Sequence, residues 1–335
     1  MLIPRLPMRR IALTLRFLCV LCVSAVGVQA QRAADDPLKP FDFFVGGTWV
    51  AEGEFPGMGR YTAERTYRKI LDGKFIEMEQ VTKISAYQSI VRGVSGWHPD
   101  KKKIVTWGFA DDGSIAISEC ECASADRSTF EGRLIGGMDP GPVRGNSRRT
   151  GPDSFLETIE AERNGAWQSH GQFEFKRKPG PMAAVNSSGA PAEALQPLER
   201  MVGLWVENVR YTNARYTVEL EFRWALGGKF LVSESRMLGT ANAGQRTLTF
   251  IGYDAEQKHL VGYSFNADGG IFVARVSASN DVPEMVFQGD VIGPRPRTLR
   301  ITYRRRDEDT LTSTTEHQYQ GIFQPADNAT LRRKK

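Results

Sequence analysis

Histidine and cysteine are scarce in this chain: 335 residues include four of each. Also missing are a Gly-x-Ser-x-Gly elbow, a phosphate-cradling glycine loop, a His-Glu-x-x-His, a pair of Cys-x-x-Cys motifs and a dinucleotide fingerprint. Without these signatures the chain reads as non-enzymatic, with no metal and no cofactor. Past the first thirty residues no run approaches the ~20 apolar residues of a membrane-crossing helix, so stable membrane insertion is not expected. A large excess of one charge is lacking too, since 44 Lys and Arg face 39 Asp and Glu. The runs Lys101-Lys102-Lys103 and Arg304-Arg305-Arg306 read as solvated loops, the second against Asp307-Glu308-Asp309, and nucleic acid is not an expected partner.

What is present is the composition of a folded globular protein, 41% hydrophobic and 25% charged, at a length that suits two domains. Residues 1–30 carry Arg5, Arg9, Arg10 and Arg16, an apolar run from Phe17 to Val28, and small residues at Val28 and Ala30. This reads as a secretory signal cleaved after Ala30, which places the protein in the periplasm or outside the cell. The four arginines of that leader account for all but one of the five net positive charges. The cations at 332–335 then leave the body between them net acidic. Cys19 and Cys22 leave with the leader. Cys120 and Cys122 remain, on one face of a strand and awkwardly spaced for a bond to each other; they read as small strand fillers.

Self-similarity at about 156 residues organises the rest. Gly47-Thr48-Trp49 matches Gly203-Leu204-Trp205, and Leu71-Asp72-Gly73-Lys74-Phe75 matches Leu226-Gly227-Gly228-Lys229-Phe230. Trp107-Gly108-Phe109 matches Tyr263-Ser264-Phe265, and Phe175-Lys176-Arg177-Lys178 matches Leu331-Arg332-Arg333-Lys334. The copies span 41–178 and 197–335, joined by a Pro-, Ala- and Ser-rich linker at 179–196. Within them Val218, Leu220, Phe222 and Trp224 alternate with polar residues, the period of a half-buried strand. Asp72-Gly73 and Gly227-Gly228 supply two-residue hairpin turns. Regular short strands with turns roughly every ten residues predict an all-β fold of two tandem antiparallel up-and-down barrels. Short helical lead-ins are expected at Pro40–Val45 and Pro191–Val202.

These residues resemble the bacterial lipocalin-like, calycin-type family catalogued as domain of unknown function fifteen-seventy-nine. The resemblance rests on Gly47 and Trp49, Arg68 to Phe75, Gly96 to Asp100 and Trp107 to Gly113, with Gly203 and Trp205, Arg223 to Phe230, Gly252 to Asp254 and Tyr263 to Gly269 in the second copy. It implies a lipocalin-like barrel and no established reaction. The Gly-x-Trp motif is also similar to that of nitrobindin-like haem barrels, which makes His170 and His317 candidate haem ligands. The ordinary outcome for both is a surface or hydrogen-bonded imidazole.

Two sets of side chains are candidates for function. Trp49, Trp97, Trp107 and Phe109, with their counterparts Trp205, Tyr253, Tyr263 and Phe265, either line a barrel cavity for a small apolar ligand or fill a core. Arg68 and Glu79, with Arg223 and Glu234, lie diagonally across the shared hairpin. They form either an interior clamp for a carboxylate or a solvent-facing cross-strand pair, and the apolar character of the opposite face favours the second. The expectation is an exported protein that binds a small apolar or amphipathic molecule inside a barrel. The alternative is an interaction module with solid barrels. Oligomeric state is not legible.

Overall fold

The computed structural model describes residues 36–55, 59–85, 87–124, 126–137, 140–182, 189–211, 214–239 and 246–334. The leader and the middle of the linker lie outside the described residues. The first ten strands are β1 (Thr48–Phe55), β2 (Gly59–Ile70), β3 (Phe75–Ile84), β4 (Tyr87–His98), β5 (Lys103–Ala110), β6 (Ile115–Ser124), β7 (Arg127–Ile135), β8 (Gly141–Gly151), β9 (Ser154–Arg163) and β10 (Ala166–Lys178). The second ten are β11 (Gly203–Tyr211), β12 (Ala214–Ala225), β13 (Phe230–Leu238), β14 (Arg246–Asp254), β15 (His259–Asn266), β16 (Ile271–Ala278), β17 (Glu284–Ile292), β18 (Arg297–Arg305), β19 (Thr310–Tyr319) and β20 (Ile322–Arg333). Each strand pairs antiparallel with its chain neighbours, and β1 closes on β10 and β11 on β20. The fold is therefore two closed up-and-down barrels in tandem, each of ten strands where a lipocalin has eight.

Alternation decides which side chains face inward. On β12, Val218, Leu220 and Phe222 are buried in the barrel, while Glu221 and Arg223 face out. One end of each barrel is stopped by a short 3-10 segment, Lys39–Phe43 and Glu193–Met201, at the two places where a lead-in is expected. Leu38 packs on Ile76 and Ile104, and Leu195, Leu198 and Met201 join the second barrel's core.

The shared Trp and Arg of the two copies close these ends. Trp49 donates its indole N–H to the Phe44 carbonyl at 2.8 Å, and Trp205 donates to Met201 at 2.9 Å. On the closing strands, the Arg177 guanidinium lies 4.2 Å from the Trp49 ring and Arg333 lies 4.3 Å from Trp205. Arg177 also donates to the Phe43 and Gly46 carbonyls, and Arg333 to Val202. The motifs at the two ends of each copy are thus one structural device, a cation-π clasp at the barrel seam.

The barrels pack on each other through outward-facing aromatic strands. Phe75 meets Phe265 at 5.4 Å between ring centroids, and Phe109 meets Phe230 at the same distance. Because Phe75 corresponds to Phe230 and Phe109 to Phe265, this is the reciprocal pattern of a twofold interface, built within one chain. Phe109 also stacks on Phe250 at 4.1 Å, and Trp107 lies against Phe265. The hairpin turns serve the same interface. Asp72 and Gly73 have the positive φ expected of them, but Leu71 (φ 52°) is left-handed as well, and Leu226 (φ 52°) repeats it. A left-handed leucine costs roughly 1–2 kcal/mol. Both are buried between the barrels, which offsets that cost.

Candidate functional site

The interior of the first barrel holds a buried ion pair. Arg65 on β2 and Glu157 on β9 are 5% and 7% exposed and bond bidentately, at 2.7 and 2.9 Å. Arg65 also donates to the Tyr67 hydroxyl and to Gln80, and Ser147 donates to Glu157. The guanidinium lies 4.3 Å from the Phe175 ring. Burial works against the Glu157 carboxylate, yet the Arg65 charge and hydrogen bonds outweigh it and hold its pKa below the usual range. For Arg65, burial is likewise overcome by Glu157 and Tyr67, so it stays charged. Phe155, Phe173 and Phe175 pack beside the pair. Sequence reasoning missed it. The signal was a charge on an otherwise apolar inward register, Tyr61, Ala63, Arg65 and Tyr67, matched by Glu157 between Phe155 and Ile159.

The second barrel has different chemistry at the same positions. Trp49 pairs with Arg65 and Trp205 with Leu220, while Ser147 pairs with Glu157 and Tyr303 with Ser313. Leu220 and Ser313 therefore stand where the first barrel has its ion pair, and Ala329 stands where it has Phe173. These smaller groups leave space. A cavity of about 40 Å³ is lined on one side by Leu220, Phe222, Phe272, Phe287 and Tyr303, and on the other by Ser233, Ser235, Thr247, Thr249 and Asn266. A smaller one of about 10 Å³ adjoins Leu220 and Tyr303 and reaches Glu207, Ser313 and Ala329. Glu207 Oε2 and Ser313 Oγ are buried there without a hydrogen-bond partner among the described residues. Burial pushes the Glu207 carboxyl up from its ordinary pKa, against one hydrogen bond from the Thr330 backbone.

The aromatic candidates divide three ways. Trp49 and Trp205 are fully buried inside their barrels, at the stopped ends. Trp107, Phe109, Tyr263 and Phe265 lie between the barrels, in the shared core, rather than lining either interior. The period of two had put these four on one strand face, but it does not say whether that face points in or out. The Tyr263 phenol is accordingly pushed up to about 12, by burial first and by Asp254 second. Trp97 and Tyr253 share the inward pleat of Ser95 and Ile251 but stand at the rim, 39% and 38% exposed.

The charged candidates face out of the barrels and border a cleft. The register is the expected one, with Arg68 opposite Glu77 and Arg223 opposite Val232. Arg223 reaches the diagonal Glu234 at 2.7 Å. Arg68 instead takes Glu77, directly across, and not the diagonal Glu79. The reason is the residue at the crossing point: Glu77 can accept Arg68, whereas its counterpart Val232 cannot accept Arg223. Glu77 is 3% exposed and accepts Arg92 from β4 on its other oxygen. Burial opposes its charge, but the two guanidinium groups hold its pKa low. Arg92 in turn lies 5.0 Å from the Phe250 ring of the other barrel. Arg68, Glu77 and Arg92 form one wall of an inter-barrel cleft of about 690 Å³, and Glu219, Glu221, Glu234 and Arg236 line the other.

The remaining candidates are dispersed. His170 lies at the bulge of β10, and His317 is exposed near the end of β19, in different barrels. Partial burial of the imidazole, and secondarily Arg297, lower the His317 pKa. His98 is buried and accepts the Lys101 backbone N–H at 3.3 Å. Cys120 and Cys122 are free thiols that pack with Leu38, Ile76 and Ile104. Among the described residues no group of three His, Cys, Asp or Glu is placed to hold a metal ion. No helix among them is long and apolar enough to cross a membrane.

The fold and its sites define a protein of two tandem, closed, ten-stranded antiparallel barrels. No family model matches the chain. No curated protein matches it either. Among solved structures it is similar to a protein of unknown function from the DUF3598 family of Nostoc punctiforme, at 9% identity over 89% of this chain and 99% of that one, with a TM-score of 0.23.

Proposed function

We propose that this is a non-enzymatic binding protein that takes a compact amphipathic molecule inside its second barrel. The observation that supports the reading is the pair of buried polar atoms, Glu207 Oε2 and Ser313 Oγ, that have no partner among the described residues and lie beside a two-faced cavity. Buried polar atoms are normally hydrogen-bonded, and an unbonded one costs about 1–3 kcal/mol. A ligand with a donor at one end would satisfy Glu207, with its apolar body against Leu220, Phe287 and Tyr303. The larger cavity has room for roughly three water-sized groups, so the ligand is small. The first barrel, crossed by its Arg65–Glu157 pair and holding a space of only about 10 Å³ beside Phe43, Cys122 and Ser147, serves as support.

Straight-chain alcohols from ethanol to butanol are suitable probes. They are expected to raise the melting temperature saturably, and Ala329→Phe, which reinstates the first barrel's side chain, is expected to abolish that rise in a folded protein. The absence of any saturable shift, or a shift that survives Ala329→Phe, would remove this reading. Export belongs to the same proposal: N-terminal sequencing of protein recovered outside the cytoplasm is expected to begin at Gln31.

A further inference from the structure

The largest concavity among those described is neither barrel interior but the cleft between the barrels, and its size of about 690 Å³ falls within the range of small-molecule sites. It lies beside the reciprocal aromatic interface, where the two copies would be expected to present the same residues. They do not. The second copy has Val232 and Leu248 in the inter-barrel core. The first has Glu77 and Arg92 at the matching register positions, since Glu77 pairs with Arg68 as Val232 pairs with Arg223. A buried ion pair is weak evidence for stability, because apolar residues of similar size do as well or better. The substitution leaves a different trace. Glu77 shares one negative charge between two guanidinium groups, and the Arg68 side chain is 69% exposed, so this wall presents a net positive charge to the cleft.

The facing wall carries both signs: Arg236 and Arg246 line it with three glutamates, and Glu219 is already paired with Arg236 and Lys334. Glu221 and Glu234 are directly opposed on β12 and β13. Like charges so placed repel. Glu234 is bridged to Arg223, while Glu221 has no ion pair among the described residues. Between the walls, Ile70, Leu204 and Leu248 contribute aliphatic surface.

We propose that this cleft is a second ligand site, for a small zwitterion whose anionic group is held by Arg68 and whose cationic group is held by Glu221 and Glu234. It shares Ser235 and Thr247 with the lining of the second barrel's cavity, but the charged groups it uses are not among that cavity's residues. An unblocked dipeptide has the required chemistry, with a carboxylate, an ammonium and an apolar body between them.

The test is calorimetric titration of the full chain with leucyl-leucine, phenylalanyl-leucine and alanyl-alanine, and with N-acetyl and C-amide forms of whichever binds best. Saturable binding of at least one is expected, weakened tenfold or more by blocking either terminus. In Arg68→Gln the amide and the free acid are expected to bind alike. In Glu221→Gln the acetylated and free forms are expected to bind alike. Both residues are exposed, and Arg68→Gln leaves the Glu77–Arg92 pair in place, so both variants are expected to fold; unchanged circular dichroism verifies this. The proposal is overturned if none of the three dipeptides binds, if blocked and free forms bind equally to the natural protein, or if either variant keeps the discrimination it should lose.

Discussion

The two barrels share strand order, stopped ends and the Trp–Arg clasp, yet their interiors differ at a few inward positions. Arg65, Glu157, Phe155, Phe173 and Phe175 in the first barrel correspond to Leu220, Ser313, Leu311, Ala329 and Leu331 in the second. One set fills the barrel with rings and a charge pair that satisfies itself. The other leaves space and leaves Glu207 Oε2 and Ser313 Oγ without a hydrogen-bond partner among the described residues. A closed barrel is thus compatible with either interior, because the backbone ladder and the clasp do not depend on what fills the centre. Fold and site are separable here, and the site follows from side-chain volume.

The difference between the two interiors is tested most strongly by Arg65→Leu, which leaves Glu157 buried without its cation. It is expected to cost about 3–5 kcal/mol in chemical denaturation. Adding Glu157→Ser, which recreates the Leu220 and Ser313 combination, is expected to recover much of that loss and to give the first barrel a cavity that takes up alcohols. If the double variant remains as unstable as the single one, the interiors are not interchangeable.

Of similar size is Phe109→Ala, which removes the ring stacked on Phe250 and is expected to cost about 3–5 kcal/mol. Its readout differs, since scanning calorimetry should show the barrels melting separately. A single, merely lowered transition would mean that the barrels are not coupled through this ring.

Smaller effects are expected from Arg177→Met and Arg333→Met, about 1–2 kcal/mol each, from the ring contact and the carbonyl hydrogen bonds. Equal losses would support the clasp as a shared device, and a loss in one barrel only would break the symmetry. The smallest effect concerns pH. Glu157 has a folded pKa below the ordinary value of about 4.3, so its contribution is present above that pH and is lost as pH falls through the folded value. Glu207 has a folded pKa above it, so it penalises the folded state at neutral pH, and the penalty fades as pH falls through that raised value. Glu207→Gln is expected to raise the denaturation midpoint at pH 7 and to leave it unchanged near pH 4.

Much of this was legible in the residues. The hairpin register follows from Asp72-Gly73 and Gly227-Gly228, and the lead-ins from the segments before Trp49 and Trp205. The diagonal pairing of Arg223 with Glu234 was legible too, while that of Arg68 with Glu79 gave way to Glu77, because a directly opposed carboxylate is nearer than a diagonal one. The Arg65–Glu157 pair was half legible, as two charges on apolar registers. Nothing in either strand alone says that β2 and β9 face each other across a barrel.

The position of Val105, Trp107 and Phe109 was beyond reading from sequence. A period of two separates two faces of a strand, but an inward face and a face covered by another domain are equally apolar. The sequence alone determined two copies of one antiparallel barrel, because alternation and turn residues act over neighbouring positions. Which apolar face became an interior and which became the seam between barrels is set by contacts far apart in the chain. That choice depends on closure and on packing between residues more than a hundred positions apart, such as Phe75 with Phe265 and Phe109 with Phe230, and it is what leaves a charged cleft between the two barrels.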